Sequence, residues 1–263
     1  MTAAVPPFLA SPTPRAYAHR GGAHYAPNAG IENSLAAFEN AVRLGYRYLE
    51  TDARVSADGT VFAFHDASLD RTTDRTGLLA RLPASEIARA RIGGREPVPL
   101  LRDVLDAFPD AQINVDVKEM ASVVPTLKAI QDVGAADRVC IASFSHRRLS
   151  RVRAAAPHLA TSASPPEIAR VMLDPWRALP AVRRMGATCV QVPTRHGWLS
   201  IVTPRFVEVA HRLGLEVHVW TIDDPDEMAR LLDLGVDGLM SDRIDVLRDV
   251  LTARGQWTGG EAR

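Results

Sequence analysis

Short apolar runs alternate with amphipathic stretches along most of the chain. Runs of strand length occupy 16–19, 48–55, 61–65, 112–117, 139–143, 159–162, 188–192, 216–220 and 238–240. Apolar positions at helical spacing mark 34–44, 100–108, 123–133, 146–155, 204–213 and 225–234. In the first of these, Leu35, Phe38, Ala41 and Val42 share one face, Asn33 or Ser34 caps the start, and Gly45 sits where a helix ends. The segment from Thr203 to Gly214 repeats the plan, with Pro204 in the first turn.

Alternation of strand and helix predicts an α/β protein with a parallel sheet, and at 263 residues a (β/α)₈ TIM barrel leads. An open doubly wound sheet is the alternative, but no G-x-G-x-x-G follows a strand. The strand runs are one too many for eight barrel places. Asp58-Gly59 between two of them signals a two-residue hairpin, so one run is either a reversed barrel strand or lies outside the ring. Residues 66–99 are polar and Arg-rich, an excursion that reads as a small helical insertion or a solvated loop.

Composition narrows the function. With 46% hydrophobic residues the core is sizeable, and Lys+Arg and Asp+Glu balance at 31 each. A general nucleic-acid or acidic-membrane binder would be basic, so no nucleic-acid partner is expected. Cys140 and Cys189 lie in apolar runs and read as buried free thiols. Residues 1–14 hold four prolines and no Lys or Arg, unlike a leader peptide or a membrane span. They are expected to form a flexible arm before a barrel domain at 15–252, with a flexible tail at 253–263. A cytoplasmic protein without a stable membrane anchor is expected.

The candidate chemistry centres on 46–66. Strand alternation puts Tyr48, Glu50, Asp52 and Arg54 on one face. An unbulged hairpin at Asp58-Gly59 would set Asp52 opposite His65. Two converging carboxylates must be neutralised or share a proton, and a bound hard cation, Mg²⁺ or Ca²⁺, is the simplest remedy. In the run 112–117, Asn114, Asp116 and the following Lys118 alternate with Val115 and Val117, so Asp116 offers a third acid and Lys118 a positive group for a phosphate. His19-Arg20 before two glycines ends the first strand, where a proton and an oxyanion could be handled. The competing reading is that these acids pair with nearby arginines on the surface. Among the other histidines, His218 reads as core, His211 and His158 as surface, and His146 as a group near a strand end.

The motifs "HRGG", "IENSLAAFENAV", "YLETDARVSADGTVFAFHD", "LDRTTDRTG", "NVDVK", "ASFS", "VWTID" and "GVDGLMSDR" together resemble the glycerophosphodiester phosphodiesterase family, in its order, from about residue 16 to 243. The resemblance implies a barrel of the phospholipase-C-like phosphodiesterase type with a small insertion after "HD". It also implies metal-dependent hydrolysis of glycerophosphodiesters to glycerol 3-phosphate and an alcohol, within lipid and glycerol metabolism. Carried over, His19 and His65 are the acid–base pair, and Glu50, Asp52 and Asp116 the metal ligands. Arg20 and Lys118 would contact phosphate, while Trp220 and Phe144 would wall the pocket. Three departures stand out: Asp116 where the family commonly has Glu, extra residues in the loop 23–31, and "SDRI" in place of "TDRP". Lysophospholipase D action, with an acyl groove near Trp176 and Trp198, is the runner-up. A non-catalytic phosphodiester-binding protein is the alternative from another class.

Overall fold

A computed structural model describes residues 6–173 and 186–260; Trp176 falls outside them. Eight parallel strands form the ring: β1 (Arg15–His19), β2 (Tyr48–Val55), β4 (Gln112–Val117), β5 (Val139–Ala142), β6 (Ala160–Thr161), β7 (Cys189–Val192), β8 (Glu216–Val219) and β9 (Gly238–Ser241). They neighbour one another in the order β6-β5-β4-β2-β1-β9-β8-β7. A parallel bridge, Ser162 to Cys189, joins the two ends and closes the barrel.

The extra run, β3 (Val61–Ala63), pairs antiparallel with the far end of β2 and lies outside the ring. Its register corrects the expected hairpin. Ala53 faces Ala63 and Val55 faces Val61, so Asp52 comes opposite Phe64, not His65. The connection is a three-residue loop, because the Ser56 N–H donates to Thr60 O at 2.9 Å and Gly59 takes a left-handed φ of 86°. A type I turn followed by a left-handed glycine adds one residue to a hairpin and shifts its register by one.

Helices α1 (Leu35–Arg43), α3 (Leu101–Ala107), α4 (Val123–Asp132), α5 (His146–Ala155), α6 (Pro165–Leu173), α7 (Pro204–Arg212), α8 (Pro225–Asp233) and α9 (Ile244–Ala253) surround the barrel. Ser34 caps α1 and Thr203 caps α7 through their hydroxyls, as the sequence suggests. Leu101, Val104 and Leu105 of α3 belong to the same continuous apolar layer as Ile113, Val115 and Val117 of β4.

Residues 66–99 form a folded insertion, including the one-turn α2 (Ala84–Ile87) and a ribbon pairing Arg91–Ile92 with Glu96–Pro97. Leu69, Leu79, Ile87, Ile92 and Val98 make its own small core with Phe62, Phe64 and Ile31. Its arginines are solvated, while the widely spaced apolar residues between them turn inward.

Within the segments expected to be flexible, Pro7–Leu9 and Trp257 lie against the barrel. A 3₁₀ turn, Pro7–Leu9, inserts Phe8 beneath Tyr48 with ring centroids 5.5 Å apart, and Tyr48 stacks on Tyr17 at 4.9 Å. The Tyr48 hydroxyl donates to Phe8 O, and buried Arg15 holds Ser11 O and Glu216. At the other end Trp257 packs its ring edge against Tyr46, 5.1 Å away. Few apolar residues mark these segments, yet Phe8 is buried and Trp257 half-buried against the barrel.

Candidate active site

The C-terminal ends of the ring strands carry the chemistry, as in other barrels of this architecture. Parallel register sets His19 beside Glu50, and Asp52 beside Asp116. All three acids are buried. The Arg20 N–H donates to Glu50 Oε2 at 3.2 Å, and His19 Nε2 lies 3.7 Å from the same oxygen. Lys118 Nζ bridges Asp52 Oδ1 and Asp116 Oδ2, each at 2.7 Å. Arg20 Nε stands 3.4 Å from Asp52 Oδ2. The two cations expected at a phosphate are thus next to the acids.

Backbone strain concentrates here. Arg20 and Asn33 are the two non-glycine residues with positive φ among those described, 50° and 61°. They are tied together, the Asn33 N–H donating to Arg20 O at 2.9 Å. That conformation costs on the order of 1–3 kcal/mol each, and it brings the Asn33 amide to Asp52 Oδ2 at 3.0 Å. Gly21 then passes so close to α1 that a Cβ would sit 2.8 Å from the Ala37 Cβ, which explains a glycine there. The extended loop 23–31 is pinned by buried Asn28, whose amide donates to Gly21 O at 2.8 Å.

Each histidine is backed by a carboxylate. His19 Nδ1 meets Asp242 Oδ1 at 2.8 Å, and His65 Nδ1 meets Asp66 Oδ1 at 2.6 Å. An N–H donated from Nδ1 leaves Nε2 as the nitrogen free to take or give a proton. His65 follows the end of β3 at Ala63, its carbonyl held by Arg54 Nε at 2.8 Å, and its charge acts on Asp52. Burial lowers the His65 pKa, with Asp52 and Asp66 only partly opposing. Burial pulls on His19 too, but Glu50 and Asp242 outweigh it and raise its pKa.

The expected pocket walls come together: the Phe144 and Trp220 rings meet edge to face at 5.6 Å, with Lys118 Nζ 6.0 Å from the Phe144 ring. His218 is core, as expected, and His146 turns to Ser164. Asp242, Asp66 and Asn33 are functional neighbours that motif reading left without a role. The carboxylate directly after His65 was the available signal for Asp66. Asp242 meets His19 only through the closed ring, whereas Asn33 meets Asp52 through the loop between the adjacent strands β1 and β2.

A hard cation fits Glu50, Asp52 and Asp116. Their donor atoms are all oxygens, and Asp116 Oδ1 is buried with no partner. Burial and Asp52 push the Glu50 pKa up to about 7, a carboxylate short of positive charge. The trio His24, Asp223 and Asp242 is tighter, with donor atoms all within 4.8 Å of one another. In it Asp223 Oδ1 accepts from Ser241 Oγ and the Asp242 N–H and Oδ2 pairs with His24, much as both Asp52 oxygens are held by Lys118 and Asn33.

Comparison with known proteins agrees with this geometry. A sequence model of the glycerophosphoryl diester phosphodiesterase family matches residues 19–246. A probable glycerophosphodiester phosphodiesterase 2 of Mycobacterium tuberculosis is 40% identical over 231 residues, covering 86% of this chain and 88% of that protein. A glycerophosphodiester phosphodiesterase of Caldanaerobacter subterraneus is 28% identical, covering 90% and 98%. Among solved structures, a putative glycerophosphoryl diester phosphodiesterase from Silicibacter pomeroyi superposes with TM-score 0.79 at 25% identity, covering 94% of this chain and 96% of that one. An Oleispira antarctica phosphodiesterase, solved with sn-glycerol-3-phosphate as product, shares the fold with TM-score 0.77 at 23% identity, covering 91% and 97%. With two carboxylate-backed histidines around buried acids at the mouth of a closed barrel, and a match over nearly its whole length, the chain belongs to the glycerophosphoryl diester phosphodiesterase family of phosphoric diester hydrolases.

Proposed function

We propose that the chain hydrolyses glycerophosphodiesters to glycerol 3-phosphate and an alcohol, with His19 and His65 moving the protons. The observation that carries this is the pair of histidines fixed through Nδ1 by Asp242 and Asp66, beside three buried carboxylates. The relatives named as glycerophosphodiester phosphodiesterases and the product held by the Oleispira neighbour support the substrate class. A divalent cation held by Glu50, Asp52 and Asp116 would supply neutralising charge at the phosphate and acidify a bound hydroxyl. One histidine takes the nucleophile's proton at Nε2 and the other returns a proton to the leaving alkoxide. Arg20 and Lys118 offset charge on the phosphoryl oxygens. Phe144 and Trp220 flank the substrate.

The test is release of glycerol 3-phosphate from a panel of soluble diesters, with Mg²⁺, with Ca²⁺ and with chelator. His19→Ala and His65→Ala should each lower turnover at least ~100-fold with the fold intact. Near-normal turnover in either would remove that residue from the mechanism. Glu50→Gln should raise the metal concentration needed for activity; an unchanged titration would exclude Glu50 as a ligand.

Exposed Phe144 and Trp198 favour a second reading, lysophospholipase D action on single-chain lipids. A human protein named lysophospholipase D is 25% identical over 271 residues. Choline release from lysophosphatidylcholine, without turnover of soluble diesters, would replace the first reading by this one.

A further inference from the structure

We infer that one side of the barrel mouth, built from the loops after β4, β5 and β7, is a docking surface for anionic phospholipid membranes. Just beyond β7 the chain forms a small hairpin, Arg195 pairing with Ser200 and His196 with Leu199. Gly197 and Trp198 make its turn, Gly197 with φ 58°. All six residues from 195 to 200 are exposed; Trp198 is 88% exposed and Leu199 42%. The Arg195 guanidinium donates to the Trp198 backbone carbonyl at 3.3 Å, holding a cation at the hairpin turn. Two more exposed apolar side chains stand on the loops after neighbouring strands, Phe144 after β5 (60%) and Met120 after β4 (45%). Single exposed apolar residues are ordinary; four on three loops of one catalytic face are not.

Charge identifies the occupant. The sequence holds no Asp or Glu from 138 to 166, nor from 186 to 207, the stretches that supply the loops after β5 and β7. The exposed cations there include Arg147 and Arg195. Acids gather elsewhere on the rim, at Asp223, Asp224 and Asp226 beyond β8. A zero net charge therefore hides a polarised mouth. An indole and a leucine at a hairpin tip, flanked by arginine, suit the boundary between headgroups and acyl chains. Basic side chains near an anionic leaflet add attraction that a neutral surface does not give. A second copy of the chain fits worse, since a two-fold contact through this patch would bring Arg195 and Arg147 against their own like charges. Binding of this kind is reversible and needs no spanning segment, and no helix among the described residues is long and apolar enough to cross a membrane.

The experiment is co-sedimentation of the full chain with sucrose-loaded vesicles of phosphatidylcholine alone, and of phosphatidylcholine mixed with phosphatidylglycerol. Its outcome does not depend on which diester the site cleaves. Partition onto the anionic vesicles should exceed that onto neutral ones by at least ~10-fold and weaken about as much in high salt. The double variant W198A/L199A should lose about tenfold in partition, and Arg195→Glu about fivefold or more. Both should keep the thermal midpoint of the parent chain, and Arg195→Glu its glycerophosphocholine turnover. Equal partition of parent and variants, absence of anionic preference, or no sedimentation with either vesicle would overturn the inference. Self-association by analytical ultracentrifugation that the double variant abolishes would assign the patch to a second copy instead.

Discussion

Glu50 and Asp52 stand two residues apart on one strand face yet titrate in opposite directions. Burial raises both, but Lys118, Arg20 and His65 outweigh it at Asp52 and hold that carboxyl at about 2. Glu50 keeps the burial cost, with Asp52 adding to it, and moves from 4.5 to about 7. Below 4.5 it is protonated whether the chain is folded or not. Between 4.5 and 7 the unfolded chain releases the proton and the fold retains it, so stability falls as pH rises through that window, by on the order of 3 kcal/mol. A divalent cation on the three acids would remove that cost. The melting temperature in chelator should therefore drop between about pH 5 and 7, while Mg²⁺ or Ca²⁺ flattens the drop; parallel curves would refute the cation site. His19 offers a second check. Asp242→Asn removes the charge that orients its Nδ1–H, and turnover should fall at least ~10-fold with KM little changed. A loss confined to KM would instead give Asp242 a binding role.

Strands and helices were largely legible before the fold was known. The span 48–55 matches β2 and 112–117 matches β4, because alternation and full burial leave a strong periodic mark. Local chemistry misled at the hairpin: Asp58-Gly59 is the sequence of a two-residue turn, but Ser56 and Thr60 close a three-residue one. The error moved His65 to the wrong pairing while leaving it near Asp52, since the strand stops before it. The N-terminal segment went unread because a proline-rich stretch with two large apolar residues has no periodicity to detect. Phe8 is nonetheless 1% exposed, beneath Tyr48. Phe8→Ala should cost about 3–5 kcal/mol in urea unfolding, as for other buried aromatic truncations. A loss below 1 kcal/mol would mean that the turn Pro7–Leu9 adds little to the floor.

Ring closure is the property that sequence conveyed least directly. Alternation announced a barrel, and motif order announced the acids, histidines and cations of its mouth. The partners that orient them come from elements far apart in the chain: Asp242 of the last βα loop meets His19 of the first strand, 223 residues away. Such pairs exist only once β9 lies beside β1, so no local spacing could have exposed them. The insertion was harder still, because its buried residues are scattered through a charged stretch and collapse onto Phe62, Phe64 and Ile31 from outside it.

The docked segments have a practical corollary. Ser11 and Pro12 line the same small cavity as Trp257, Thr258 and Gly259, on the face opposite the mouth. Residues 11–12 and 257–259 are therefore neighbours. A tether grafted at this seam would hang the enzyme from a bead or a partner protein with its working face turned outward.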